Sequence, residues 1–263
     1  MFVIEANNCS TLEEMFYGLY KHNPKYNNTV LILYHVILPN LISIRNKYNG
    51  YKIIICQFEQ LFDNHPRGYT NNKNIQLLKD ADEVWDLDTN NIPYLAKYGI
   101  VAKYHPVVYT KTLIDNTILN TNIHDIDVLF YGNAIERRNT IINNIKQVLP
   151  NINLMYINGN PPIVGQQLNK FIARSKIILN IHAYELSLQE TVRMMVPLAN
   201  NKCILSETSM TDNLCECIIQ CTTNNLAKYI NELLQNKNYI KQGICGGELY
   251  KQLHIDYIKE NFL

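Results

Sequence analysis

The run Asp127-Val128-Leu129-Phe130-Tyr131-Gly132-Asn133 passes from continuous apolar side chains straight into a glycine and an amide, and the same change occurs twice more downstream. Lys176-Ile177-Ile178-Leu179-Asn180-Ile181-His182 ends in Asn180 and His182, and Cys203-Ile204-Leu205-Ser206-Glu207 ends in Ser206 and Glu207. Short unbroken apolar runs suit strands buried on both faces. Longer segments of helical spacing begin between them, at Glu136, Val164 and Leu188. Strand, helix, strand in repetition predicts a parallel sheet covered by helices, an α/β fold. In open sheets of this class a ligand binds beyond the carboxyl ends of the strands. That makes Gly132, Asn133, Asn180, His182, Ser206 and Glu207 the first candidate site residues.

Working outward, the first half repeats the beat. Phe2–Glu5, Val30–Tyr34, Lys52–Cys56, Glu83–Trp85 and Val101–Val108 read as strands, with helical segments over 10–20, 39–48, 75–81 and 92–98 between them. Lys111 to His124 is polar and weakly periodic. The predicted organisation is a first Rossmann-like domain over 1–112, a connector over 113–124, a second such domain over 125–249, and a terminal helix over 250–263 that could pack back on the first.

Composition narrows the classes. With 263 residues, 47% of them hydrophobic, the chain can bury two cores without staples. A formal net charge of +1 provides no field for duplex nucleic acid or an acidic membrane surface. Seven cysteines without paired CxxC spacing predict a reduced protein of the cytoplasm, the host's if the chain is viral. Cys215, Cys217 and Cys221 can be read as soft-metal ligands, but free cysteines on one strand face more simply serve as small buried hydrophobes. The N-terminus lacks a signal pattern, and the most apolar window, 30–44, is too interrupted to span a membrane. There is no G-x-G-x-x-G and no P-loop, so redox and phosphoryl-transfer classes fall away.

Three segments carry a family resemblance. They are Asp127–Asn133 followed by Glu136-Arg137-Arg138, Ala173–His182, and Glu190–Arg193 with Leu198-Ala199-Asn200 and Ile204–Glu207. Gln57-Phe58-Glu59-Gln60 and Ala81–Trp85 extend it into the first half. In order and content these segments resemble the GT-B glycosyltransferases, especially the small ones of bacteria and large DNA viruses. The resemblance implies two Rossmann-like domains facing across a cleft and transfer of a sugar from a nucleotide sugar. The acceptor would be a glycan, a protein or a small molecule. It also implies a nucleotide-sugar donor in the second half, the acceptor in the first, and no metal or other cofactor. The chain departs from the family at one point. Many retaining members have a Glu, seven residues and another Glu, and the matching positions here are Leu188 and Val196; Glu185 and Glu190 flank the first. The stereochemical outcome, the base, the sugar and the oligomeric state are not readable.

The chemistry sorts the candidates. A departing diphosphate gathers negative charge, which helix N-termini and forked guanidiniums can offset. Gly132 would let backbone approach the phosphates. Arg137 and Arg138 are helix neighbours about 100° apart, so the expectation is that at most one aims inward, with Arg137 preferred. Arg193 is spaced to pair with Glu190. Asn180, His182, Glu185, Ser206 and Glu207 would border the sugar or diphosphate, and Glu190 is also a catalytic candidate. A general base would come from the first half, with Glu59, His35 and His65 as candidates. Two rivals stand beside this. One is a metal-dependent GT-A transferase using Asp86 and Asp88. The other is a non-catalytic nucleotide-binding or assembly protein on the same scaffold.

Overall fold

The computed structural model describes residues 1–6, 10–33, 41–63, 69–158, 163–185, 187–211 and 214–262. His35, His65 and Cys9 lie outside them. The chain forms two units, Met1–Val107 and Val108–Leu263.

The first unit alternates β1 (Phe2–Glu5), α1 (Ser10–Tyr20), β2 (Thr29–Leu33), α2 (Leu41–Lys47), β3 (Lys52–Gln57), α3 (Asn72–Lys79), β4 (Glu83–Asp86), α4 (Asn91–Ala96) and β5 (Ala102–Tyr104). All strands are parallel, in the order β1-β2-β3-β4-β5. Strand alternation sends Val30, Ile32, Ile53, Ile55 and Val84 to one face, where α2, α3 and α4 supply Leu41, Ile44, Ile75, Leu78 and Leu95. Trp85, next to Val84, points the other way and meets Phe16 and Tyr20 of α1, with ring centroids 5.9 and 5.5 Å away.

His105 closes that aromatic layer. Its ring stacks on Trp85 at 4.9 Å and its Nδ1 lies 3.0 Å from the Pro106 carbonyl. A carbonyl only accepts, so Nδ1 carries the proton and Nε2 accepts from the Tyr20 hydroxyl. Burial pulls the His105 pKa down to about 4.

The second unit contains α5 (Asn116–Leu119), β6 (Ile126–Tyr131), α6 (Glu136–Val148), β7 (Leu154–Ile157), α7 (Gly165–Arg174), β8 (Ser175–Asn180), α8 (Thr191–Ala199), β9 (Cys203–Glu207), β10 (Ile219–Cys221), α9 (Leu226–Gln235) and α10 (Asn238–Phe262). Its strands are also parallel, in the order β10-β9-β8-β6-β7. The chain therefore leaves β6 toward one edge, returns, and continues toward the other. The strand order switches between β6 and β8, and that is where open sheets of this class leave a crevice beyond their carboxyl ends. The first sheet never reverses and has no such point.

Val128, Phe130, Ile177, Leu179 and Leu205 pack on α6 and α9. Neighbouring Leu129, Ile178 and Ile204 are buried on the opposite face, where α8 and α10 lie against β9. β7 escapes the sequence reading because it is a four-residue strand at the sheet edge with only Leu154 fully buried.

Two further expectations change. The segment expected to connect the domains belongs to the second unit: α5 packs on α7, and Asp115 accepts from Asn169 Nδ2 at 2.7 Å. Buried Asn200 fastens the same segment, accepting from the Asp115 amide and donating to the Leu113 carbonyl, both at 2.8 Å. The terminal helix begins at Asn238, twelve residues before the expected start at Tyr250, and contains Gly243, Gly246 and Gly247. A Cβ at Gly243 would lie 2.2 Å from the Asn201 carbonyl oxygen, and one at Gly246 would lie 2.2 Å from that of Cys217. These glycines exist so that the helix can touch backbone.

Gly243→Ala should therefore destabilise the second unit by about 1–3 kcal/mol, because overpacking outweighs the gain of about 1 kcal/mol in helix propensity. Gln242→Ala, on the exposed side, should stay within about 0.5 kcal/mol; urea titrations check both. For His105 the folded pKa is depressed, so its contribution is present above the unfolded value near 6.5 and is lost as pH falls toward 4. Unfolding free energy measured at pH 7 and pH 5 should differ by about 2 kcal/mol more in the wild type than in His105→Gln.

Candidate active site

The crevice between β6 and β8 is built from buried strand ends. Asn180 and Ser206 are in register on β8 and β9, both with no exposure, and Asn180 Nδ2 donates to Ser206 Oγ at 2.9 Å. Beyond β6, Gly132 has φ +156°, and a Cβ there would stand 3.1 Å from Arg193 Nη2 and 3.2 Å from Arg138 Nη1. A side chain at this turn would crowd two guanidiniums, and the backbone angle there also favours glycine.

Those guanidiniums share one carboxylate. Arg138 Nη2 donates to Glu190 Oε1 at 2.7 Å, while Arg193 Nη1 donates to Glu190 Oε2 and, at 2.6 Å, to Asn180 Oδ1. Arg138 is 4% exposed and is further held by the carbonyls of Ile181 at 2.9 Å and Asn133 at 3.3 Å. Both guanidiniums ride over the Phe130 ring, at 5.4 and 5.7 Å from its centre. Burial pushes the Glu190 carboxyl up, but Arg193, His182 and Arg138 beside it outweigh that and hold it at about 2.

A second ion pair lies alongside. Arg137 forks onto Glu207, with Nη1 to Oε2 at 2.8 Å and Nη2 to Oε1 at 2.7 Å, and Nη1 also donates to the His182 carbonyl at 2.9 Å. Glu207, 3% exposed, accepts in addition from the His182 amide at 2.8 Å and from the Thr223 hydroxyl. Burial raises its pKa, but these donors, Arg137 foremost, more than offset that and hold it below the ordinary carboxylate range. Bonds run unbroken from Arg138 through Glu190, Arg193, Asn180, Ser206 and Glu207 to Thr223. Three guanidiniums face two carboxylates, which leaves one positive charge in excess.

His182 is 1% exposed. Its Nε2 lies 3.3 Å from the Glu207 carbonyl and 3.1 Å from Ser209 Oγ. Its Nδ1 sits 3.8 Å from Glu190, too far for a hydrogen bond, and has no hydrogen-bond partner among the described residues.

Gly132, Asn180, His182, Glu190, Arg193, Ser206, Glu207 and Arg137 thus come together. Asn133 joins by its carbonyl while its side chain is exposed, and exposed Glu185 acts on Arg137 only through its charge. The expectation that only one of Arg137 and Arg138 turns inward is corrected. The two side chains reach different strand ends, Arg137 that of β9 and Arg138 that of β8, so a 100° separation suits both. Arg138 had been set aside in favour of Arg137, and Thr223 was missed; Thr223 follows the end of β10 and was open to the same strand-end rule.

In the first unit, half-buried Glu59 follows β3, and its backbone is clamped by Gln57 and Asn91. Asp86 is fully buried and accepts from the Asp88 amide at 2.8 Å, Asn91 Nδ2 at 3.0 Å and Gln57 Nε2 at 3.3 Å. Burial raises its pKa well above the usual range. Asp88 accepts from the Asn90 amide at 2.9 Å. Both carboxylates shape a turn. Asp125 and Asp127 sit at the amino end of β6, paired with Arg174 and Lys176. Among the described residues no group of three or more His, Cys, Asp or Glu could hold a metal ion, and no helix is long and apolar enough to cross a membrane.

Removing Arg137 would strand a buried carboxylate, so Arg137→Ala should lower the stability of the second unit by about 3 kcal/mol. The double variant Arg137→Met, Glu207→Gln should lose less than the single one. Urea unfolding at pH 7 measures both.

No family model and no curated protein matches the sequence. Solved structures do match the fold. A UDP-forming α,α-trehalose-phosphate synthase from Burkholderia xenovorans aligns with TM-score 0.55 and 7% identity over 97% of this chain and 77% of its own. UDP-GlcNAc 2-epimerase from Neisseria meningitidis, bound to UDP-GlcNAc, aligns with TM-score 0.53 and 12% identity over 99% of both chains. TarM of S. aureus aligns with TM-score 0.51 and 7% identity over 91% of this chain, which spans 54% of TarM. The GT-A fold alternative gives way, because the chain builds two separate parallel sheets in the arrangement of these neighbours. The chain has the GT-B glycosyltransferase-like fold.

Proposed function

We propose that this protein is a glycosyltransferase that takes its sugar from a nucleotide-sugar donor, with the donor's diphosphate held in the second unit beside Gly132. The observation that carries this is the pair of guanidiniums, Arg138 and Arg193, sharing the single carboxylate of Glu190 at the strand-order switch. Fixed forked donors in a partly dry site favour phosphate oxygens over water. Charge that grows on the departing diphosphate is offset there, and in this proposal no cation takes part in the step. The α6 and α8 N-termini, neither capped by a side chain, add backbone donors. Asn180, His182 and Glu190 border the sugar, and Glu59 of the first unit stays the candidate base. A second reading rests on the full-length match to the epimerase: the same grip on a diphosphate would serve isomerisation of the nucleotide sugar.

Calorimetry with uridine, guanosine, thymidine and cytidine diphosphates should find one that binds the wild type. Arg193→Ala should weaken it about tenfold or more, and Arg193→Lys by less. Binding that is equal in all three proteins removes Arg193 from the site. Incubation with the matching nucleotide sugars, with and without chelator, then separates transfer, isomerisation and mere binding by product.

A further inference from the structure

Strand β7 pairs with β6 on the edge away from β8, and Tyr156 stands on it in register with Phe130. Their ring centroids are 5.1 Å apart, so the phenol lies against the same ring that both guanidiniums cover. The Tyr156 hydroxyl is buried and has no hydrogen-bond partner among the described residues. Leaving a buried hydroxyl unpaired is costly, and a phenylalanine would fill the same space without that cost. Burial raises the pKa of the phenol, with the charges of Arg138 and Arg193 opposing, so the group stays a protonated donor. Around the Phe130 ring, then, stand two guanidiniums, which only donate, and an O–H with nothing to donate to among the described residues. The partner that satisfies all three is an oxyanion with several lone pairs.

We infer that Tyr156 is a further binding residue of this site, its hydroxyl donating to an oxygen of the diphosphate that Arg138 and Arg193 hold. The inference rests on the nucleotide-sugar function proposed above and adds to it a side chain from the edge strand. It also predicts an inversion of the ordinary effect of deleting a tyrosine hydroxyl: the fold gains while the ligand loses.

The test is Tyr156→Phe on the full chain, with urea unfolding and calorimetry against the nucleoside diphosphate that binds the wild type. The unfolding midpoint should stay level or rise, while the dissociation constant increases about tenfold or more. Inorganic pyrophosphate should lose affinity by a similar factor, since the contact is to phosphate. Unchanged affinity in the variant overturns the inference and leaves the proposed function standing. A lower midpoint overturns it too, because the hydroxyl would then serve the fold. If no nucleoside diphosphate binds the wild type, the proposed function fails and takes this inference with it.

Discussion

Two guanidiniums leaning on one carboxylate is the constraint around which the second unit is arranged. Like charges held this close repel, and the arrangement persists only because Glu190 lies between Arg138 and Arg193 and the Phe130 ring lies beneath them. Each surrounding choice follows. A side chain at Gly132 would crowd both guanidiniums. Asn180 turns its oxygen to Arg193 and its amide to Ser206, so it is satisfied on both sides without adding charge. Glu190 remains ionised because its counter-ions outweigh its desolvation.

Strand order decides which unit can build such a place. In the second sheet the chain departs from β6 in both directions, so the connections after β6 and β8 diverge and a gap opens between them. The first sheet runs in one direction only, and its strand-end polar groups close on one another. Gln57, Asp86 and Asn91 satisfy each other and the backbone around Glu59. One sheet ends in a finished network, the other in donors with capacity to spare.

Much of this was legible in the chain itself. Unbroken apolar runs located β6, β8 and β9 to within a residue or two, and the strand-end rule picked Gly132, Asn180, His182 and Glu207 correctly as neighbours. What escaped had physical causes. β7 is short and half-exposed, so neither run length nor periodicity marks it, and Tyr156 was hidden with it. Arg138 was set aside by an angular argument that holds for short side chains and fails for a guanidinium on a long stem. The late glycines carried no turn signal because their reason lies elsewhere in the chain, in the backbone of residues 201 and 217. No local pattern encodes a contact made at that distance.

The net charge of the site bears on how it works when empty. If Arg138 and Arg193 faced the crevice without Glu190, the unliganded second unit would carry two adjacent uncompensated cations, and the cost would fall on folding. With Glu190 present, that cost is largely cancelled, yet one carboxylate cannot satisfy two forks, and an unmet demand for lone pairs remains. The Tyr156 side chain sharpens that demand, leaving a buried hydroxyl unpartnered among the described residues at its margin. The stability of the second unit and the oxyanion binding proposed for it thus depend on the same residue, Glu190.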